Sequence, residues 1–390
     1  MKAVVLAAGE GTRLRPLTRT RPKPMLPIAN RPLLEHVLEA AREAGIDEFV
    51  FVVGYKRERI QSYFGDGDDW GVDIEYVVQE TQLGTGHALL QAESAIDGDF
   101  IALNGDRIVE PSAISAVIDA RRESRDPVMA VTRHPRPENY GVVELDGRTV
   151  RSIEEKPPAH AVTTDYINAG VYGLGEAVFD DLRAAEAEGE LAVTAVLREY
   201  RDGLRAVPFD GLWLDVSYHW DILSVNDRVL DRSGGSEFEG DSSSTATVHE
   251  RATVVDRTSL GADVRVRPGA TVLPGTSLGD NVEVGANAVV ANAVVFADAT
   301  IGDGAVVRDC VVGENASIGP NTTVEGGEAD VVVGSDIHED VRLGGVVGDN
   351  GSVGGGVTLS PGTVLGNHTT VDSGCDVSGR IETGAIVRRG

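Results

Sequence analysis

The chain has 390 residues and a formal net charge of −27, from 35 basic against 62 acidic side chains. That length accommodates two or more domains with sizeable cores, while so acidic a balance argues against a nucleic-acid partner, which needs clustered positive charge. No apolar run approaches the roughly 18 residues of a membrane span and nothing has the form of a signal peptide, so a cytoplasmic protein with no membrane partner is expected; the two isolated cysteines, Cys310 and Cys375, exclude a zinc site or a disulfide framework.

Residues 2–8 form a short apolar run suited to a fully buried strand. Gly9-Glu10-Gly11-Thr12-Arg13 follows, then Pro16, Thr18 and Pro22-Lys23-Pro24. The two glycines let the backbone approach a ligand with consecutive N–H groups turned towards it. Arg13 brings a bidentate donor for phosphate oxygens, and Lys23 a compact point charge on a stretch that two prolines stiffen. A buried strand feeding such a loop is a polyphosphate cradle. It is not a P-loop, which ends in Gly-Lys-Ser/Thr, nor the dinucleotide fingerprint, whose third glycine is Leu14 here.

Strands and helices then alternate. A helix is expected over 32–45, a strand over 48–53, a helix over 56–64, a strand over 72–78 and a helix over 84–95. A strand over 100–103, a helix over 111–123 with proline first, and a strand over 128–132 follow. This alternation implies an α/β domain, a Rossmann-like, mostly parallel sheet covered by helices on both faces, with ligands at the carboxyl ends of the strands. A hairpin across Asp146-Gly147, a strand over 166–172, helices over 177–187 and 194–200, and a closing helix over 218–230 complete a domain of residues 1–230. Residues 231–246 have the polar, Gly/Ser-rich composition of a linker.

From 247 to 390 the character changes. Apolar residues recur every sixth position from Val248 through Val254, Leu260 and Val266 to Phe296. A second phase runs through Val306, Val312, Ile318 and Val324, and a third from Val341 through Val347 and Val353 to Val377. No helix has a period of six; a hexapeptide repeat means a parallel β-helix with one apolar residue per short strand pointing to a common axis. The phase breaks at 297–305 and 325–340 are expected to be loops or irregular coils.

The loop from Leu6 to Arg13, with Pro16, Thr18 and Lys23-Pro24 at these spacings, resembles the signature of the sugar-1-phosphate nucleotidylyltransferases, many of which carry a left-handed β-helix at the C-terminus. The resemblance implies nucleotide binding by Leu6, Ala8, Gly9, Gly11 and Thr12, with Arg13 and Lys23 as catalytic cations. In Asn104-Gly105-Asp106, Asp106 resembles the family's Mg²⁺-binding aspartate; Asp215 resembles the second, although Ser217 stands where glycine is typical. The stretch from Gln79 to Ala88 resembles that of the uridylyl and thymidylyl enzymes: Gln79 can pair with a uracil or thymine edge, and Gly84-Thr85 opens a helix towards the nucleotide. Gly141, Glu154, Glu155, Lys156 and Asn168 are the implied sugar-phosphate contacts, Glu155 being favoured over Glu154. His87 has no motif role and reads as a satisfied helix histidine.

The expected activity is Mg²⁺-dependent formation of a UDP- or dTDP-sugar and pyrophosphate from UTP or dTTP and glucose-1-phosphate or N-acetylglucosamine-1-phosphate. One alternative is a bifunctional enzyme that also acetylates glucosamine-1-phosphate, since His338 stands at the distance of a catalytic histidine; but Val341 and Gly344-Gly345 replace its expected companions, and that site reads as degraded or absent. A regulatory, non-catalytic paralogue is the other, opposed by Arg13, Lys23, Asp106 and Lys156 all being in place. Flat β-helix faces point to a homo-oligomer, commonly a trimer for such domains, and the acidic surface to a salt-rich, halophilic setting.

Overall fold

The computed structural model describes residues 1–186, 191–200, 203–232 and 245–389. They form two compact units that do not follow chain order. One holds Met1–Glu10, Pro22–Met25 and Leu33–Asp215; the other holds Gly11–Arg21, Leu26–Pro32 and the chain from Val216 onward. The second unit thus takes in the closing helix, expected with the first domain, and two pieces of the opening loop. Of the expected linker 231–246, residues 233–244 lie outside the described residues, as does Ala187 at the end of an expected helix.

The first unit is built on a nine-stranded sheet. Its strands are β1 (Lys2–Ala7), β2 (Glu48–Val53), β3 (Asp73–Val78), β4 (Phe100–Asn104), β6 (Val128–Arg133), β7 (Gly141–Asp146), β8 (Thr149–Glu155), β9 (Tyr166–Leu174) and β10 (Arg205–Pro208), in the order β3-β2-β1-β4-β9-β6-β10-β8-β7. Two further strands, β5 (Arg107–Val109) and β11 (Trp213–Asp215), pair only with each other. The sheet is parallel from β3 to β4, with Ala3 facing Phe49 on one side and Ile101 on the other. Beyond that it is mixed: β9 runs antiparallel to both β4 and β6.

Side-chain alternation along β1 explains why the strand reads as continuously apolar. Ala3, Val5 and Ala7 point into one core with Leu34 and Leu38 of α1 (Leu33–Glu43), Phe64 of α2 (Arg57–Phe64) and Ile114 of α4 (Pro111–Glu123). Val4 and Leu6 point into another with Leu89 of α3 (Thr85–Gln91), Phe179 of α5 (Ala177–Glu186) and Val196 of α6 (Val193–Leu197). A strand sandwiched between two helical layers has no polar face. At its carboxyl end the neighbouring turns crowd together: a Cβ on Gly54 would stand 3.1 Å from Ala8 Cβ and from the Gln79 carbonyl oxygen, and one on Gly105 3.0 Å from the Leu6 carbonyl oxygen.

The second unit contains α7 (His219–Arg232) and a parallel β-helix. On one face Thr247, Arg265, Glu283, Thr300, Ser317, Ser352, Thr370 and Ile386 stack in parallel register. Val266, Val272, Leu278, Val284 and Val290 line the axis, each at most 2 % exposed. Asn and Asp take the corners in the left-handed backbone region, as at Asn281, Asn287, Asp298 and Asn315, where their short side chains cost least.

Three hexad expectations need correction. After Val290 the inward residues are Val295, Ile301, Val307 and Val312, so two steps shorten from six to five; Phe296 and Val306 are not axial. Residues 297–305 are a regular rung, since Thr300-Ile301 pairs in parallel on both sides. Residues 325–340 are not coil but carry an antiparallel hairpin, Glu328–Val333 with Asp336–Arg342, and Val341 lies on it rather than in the stack. Asp309, at 3 % exposure, ties the hairpin's two ends: its carboxylate accepts from Gly327 N–H at 3.0 Å and Arg342 Nε at 3.0 Å, and its carbonyl from Gly344 N–H at 2.7 Å.

Candidate active site

Asp106 and Asp215 are far apart in sequence and meet because β5 and β11 pair, with Asp215 opposite Arg107. Between the two carboxylates sits the ammonium of Lys23, 2.7 Å from Asp106 Oδ2 and 3.6 Å from Asp215 Oδ1. Lys23 begins a short turn, Lys23–Met25, closed by Met25 N–H donating to the Pro22 carbonyl at 2.9 Å. The Asp215 side chain is 5 % exposed, that of Lys23 13 % and that of Asp106 33 %. Burial alone would pull the Lys23 ammonium below its ordinary value, but the charges of Asp106 and Asp215 override it and hold it above.

Arg107 supplies the second cation. Its Nε lies 3.8 Å from Asp215 Oδ1, its Nη1 donates to the Asn168 carbonyl at 3.2 Å, and its guanidinium stands 5.4 Å from the Trp213 ring centre. Burial opposes its charge and the two aspartates restore it, so it too stays ionised. Two carboxylates and two cations make a neutral, half-buried quartet.

The implied sugar-phosphate residues gather beside Arg107. A Cβ on Gly141 would stand 2.9 Å from Glu155 Oε2 and 3.6 Å from Asn168 Cβ, so Glu155, Gly141 and Asn168 share one place. Asn168 is buried; its Nδ2 donates to the Tyr172 hydroxyl at 2.7 Å and its Oδ1 accepts from Gly170 N–H at 2.9 Å. Glu154 precedes Glu155 on β8 and by strand alternation faces the other way. Lys156 is exposed, in the left-handed region at φ 47°, and its N–H donates to the Tyr140 carbonyl at 2.9 Å.

Leu6 lies near the carboxyl end of β1 and Ala8 just beyond it, where the Ala8 carbonyl accepts from Gln82 Nε2 at 2.9 Å and Tyr55 N–H at 3.3 Å. A Cβ on Gly9 would meet nothing within 4 Å. Gln79 is buried, and its amide nitrogen lies 3.2 Å from the Gly84 carbonyl oxygen and 2.8 Å from His87 Nδ1. The start of α3 is less open than its sequence implies. A Cβ on Gly84 would overlap the Leu191 carbonyl oxygen, Gly86 N–H donates to that same oxygen at 2.7 Å, and the Thr85 hydroxyl accepts from Val193 N–H at 3.1 Å.

Gly11, Thr12 and Arg13 belong to the second unit. Gly11, at φ 67°, has its carbonyl held by the Thr18 hydroxyl at 2.8 Å; Thr12–Leu14 is a turn of 3₁₀-helix. Arg13 is exposed, with its guanidinium 5.8 Å from the Tyr218 ring centre. The same segment is anchored by Arg21, whose side chain is 6 % exposed. Arg21 Nη1 donates to Asp349 Oδ1 at 3.2 Å, Nη2 to Glu314 Oε2 at 2.5 Å, and the guanidinium stands 4.8 Å from the Phe296 ring centre. His338 lies on the inserted hairpin and packs on the stacked rings of Tyr218 and Trp220, 4.4 and 5.1 Å between centres. Its Nε2 is buried without a hydrogen-bond partner among the described residues.

A model of the nucleotidyl transferase family matches residues 2–232, and one of the GMPPB C-terminal domain matches residues 254–345. The chain belongs to the nucleotidyl transferase family. It is 40% identical over 238 residues to the bifunctional protein GlmU of Methanococcus maripaludis, a match covering 60% of this chain and 55% of that protein, so the chain spans about half the length of that relative. It is 35% identical over 274 residues to a glucose-1-phosphate thymidylyltransferase of Streptomyces griseus, covering 68% of this chain and 75% of that one. A crystal structure of a glucose-1-phosphate thymidylyltransferase homologue from Bacillus anthracis superposes with a TM-score of 0.55 at 26% identity, over 58% of this chain and 94% of that one.

Several residues of this nucleotidyl transferase escaped sequence reading. Arg107 joins Asp215 to the Asn168 backbone, and its only signal was standing next to Asp106. His87, read as bland, holds the Gln79 amide. His134, Tyr140 and Trp213 form an edge-to-face cluster that backs Arg107, and nothing in their spacing announces it.

Proposed function

We propose that the chain joins a nucleoside triphosphate to a sugar-1-phosphate, releasing pyrophosphate. The observation that carries this reading is the pair Asp106 and Asp215 sharing one lysine ammonium, with Arg107 linking that pair to the Glu155–Gly141–Asn168 cluster. In the reaction a phosphate oxygen of the sugar-1-phosphate forms a bond to the α-phosphorus while the bond to the β-phosphate oxygen breaks. The nucleophile is already ionised at neutral pH, so no general base is needed, and catalysis consists of alignment and charge neutralisation.

Lys23 neutralises the leaving pyrophosphate, and Arg13 grips the triphosphate as its motif implies. Leu6, Ala8 and Gly9 offer the backbone cradle, and Gly11 and Thr12 keep the nucleotide-binding role that the motif implies for them. Gln79 orients a uracil or thymine, with Gly84 and Thr85 shaping that side of the pocket. Glu155 and Asn168 bind sugar hydroxyls against Gly141, and Lys156 holds the incoming phosphate. Two acidic oxygens close to one cation are a donor set that suits Mg²⁺, which is commonly held by one or two carboxylates plus phosphates and water. Asp106 and Asp215 would hold it, and when bound it supplies charge neutralisation across the reacting phosphates.

UTP or dTTP as nucleotide, and glucose-1-phosphate or N-acetylglucosamine-1-phosphate as acceptor, are the substrates we favour. A salt-rich cytoplasm and a homo-oligomer assembled through the β-helix complete the reading. The test is pyrophosphate release across a grid of nucleoside triphosphates and sugar-1-phosphates. Release confined to the uracil or thymine nucleotides with a hexose-1-phosphate is expected, and no release with any pair would overturn the reading.

A further inference from the structure

The two cations of this half-buried quartet are held very differently. Arg107 is fixed on three sides: by Asp215, by the Asn168 carbonyl and by the Trp213 ring. The Lys23 ammonium makes no hydrogen bond or ion pair among the described residues except with the two carboxylates. Its backbone is pinned between Pro22 and Pro24, while four rotatable carbons carry the charge. One cation is held by backbone and ring as well as by charge; the other is held by the two carboxylates alone.

Asp215 explains why such a cation is needed. A carboxylate 5 % exposed carries a large desolvation cost unless it is paired, and Asp106 beside it adds like-charge repulsion. The oxygens that Lys23 touches are the ones a divalent ion would use. A metal ion and an ammonium cannot both sit between them, because each would place positive charge within about 4 Å of the other.

We infer that Lys23 is an exchangeable counter-ion: it occupies the metal-binding oxygens of Asp106 and Asp215 and yields them to a divalent cation, swinging its charge onto phosphate. The destination on phosphate rests on the proposed function above; the competition for the two carboxylates does not. The exchange gives the site an order of assembly. A divalent ion alone must displace Lys23 without compensation and binds weakly. A divalent ion arriving with a triphosphate gives the displaced ammonium a new partner and binds well. The lysine that serves the leaving group thereby also suppresses metal binding without nucleotide.

The probe is Mn²⁺ without nucleotide, titrated against the full chain and followed by the electron paramagnetic resonance of the free ion. Lys23→Met should bind Mn²⁺ about tenfold or more tighter than wild type, although it removes a residue placed in the active site. Lys23→Arg should bind as weakly as wild type, and adding Asp106→Asn to Lys23→Met should abolish the gain. Equal or weaker binding by Lys23→Met would overturn the inference.

A second measurement needs no variant. The chain has only four lysines, so acylation of each amine can be followed separately by peptide mass spectrometry. Mn²⁺ at a concentration that the titration shows to fill the wild-type site should raise labelling of Lys23 severalfold and leave Lys2 and Lys56 unchanged; constant labelling of Lys23 at that occupancy would overturn the exchange. Pyrophosphate release stands apart from both readouts. Wild-type turnover without the Mn²⁺ effects sinks the exchange alone, and Mn²⁺ effects without turnover sink the proposed reaction alone.

Discussion

Gly170 and Arg107 are packed so closely that a side chain on the glycine would push against the guanidinium. A Cβ at position 170 would stand 3.0 Å from Arg107 Nη1 and 2.6 Å from Asn104 Nδ2, and the backbone there is left-handed at φ 80°. The register of β9 against β6 shifts between Asn168 and Tyr172, so the irregularity that turns the Asn168 carbonyl to Arg107 spans this glycine. Gly170→Ala should therefore lower stability by about 1–3 kcal/mol and cost turnover together. Chemical denaturation and kcat on the same preparation check this, and a variant unaffected in both would deny the glycine its role.

Arg107→Lys keeps the charge near Asp215 but loses the planar donor to Asn168 and the stacking on Trp213. Reduced kcat/KM for the sugar phosphate is expected, about tenfold or more, with a smaller effect on the KM of the nucleotide. Steady-state kinetics with each substrate varied in turn separates the two.

Arg21 is a buried cation whose removal leaves Asp349, itself 3 % exposed, without its charged partner; among the described residues only the Thr20 hydroxyl and Glu314 N–H still donate to its carboxylate. Arg21→Met should destabilise by about 3 kcal/mol, whereas Arg21→Met with Asp349→Asn should cost less than the two single changes added together. Thermal or urea unfolding of the three variants gives the coupling directly. Additive losses would show that the pair is not an interacting unit.

Much of the first unit was legible because its local and global signals agree. The run 2–8 is apolar throughout since both faces of β1 are covered, and the helix over 111–123 begins at a proline where no N–H is needed. The ribbon that joins Asp215 to Arg107 was not legible. Its strands are three residues each, too short to show a period. In the β-helix the miscounted steps fall where apolar residues stand side by side, Val295 next to Phe296 and Val306 next to Val307, so a hexad count cannot tell which one faces inward. His87 was unreadable for another reason: its partner Gln79 lies eight residues back across a turn, a spacing no helix or strand pattern encodes.

His219 gives stability a dependence on pH. Burial, only partly opposed by the carbonyls of Leu14 and Arg15, lowers its value from 6.5 to about 4. The unfolded chain therefore binds a proton that the folded chain refuses between those limits. The contribution is intact above pH 6.5 and is lost as pH falls towards 4, amounting to about 3 kcal/mol at the low end. The difference in unfolding free energy between wild type and His219→Gln, followed from pH 7.5 to 4.5, should trace this window; a flat difference would remove His219 as its source.

A net charge of −27 makes salt a second lever. Screening should relieve self-repulsion, so the thermal midpoint should climb steadily as KCl is raised from dilute buffer to molar concentration. A midpoint indifferent to KCl would show that the acidic side chains are already balanced locally.

The hairpin between Glu328 and Arg342 leaves the stack and returns to it without disturbing the rungs: Ser317 pairs with Ser352 as evenly as Ser352 does with Thr370. One buried aspartate at the exit clips both ends, and Leu343 N–H donates to the Gly327 carbonyl at 3.0 Å across them. The column of rungs thus continues past whatever is hung at that corner, although the native hairpin also packs His338 on Tyr218 and Trp220. Foreign peptides could be spliced between Gly327 and Leu343 and displayed on an unbroken column, with Asp309 as the clasp.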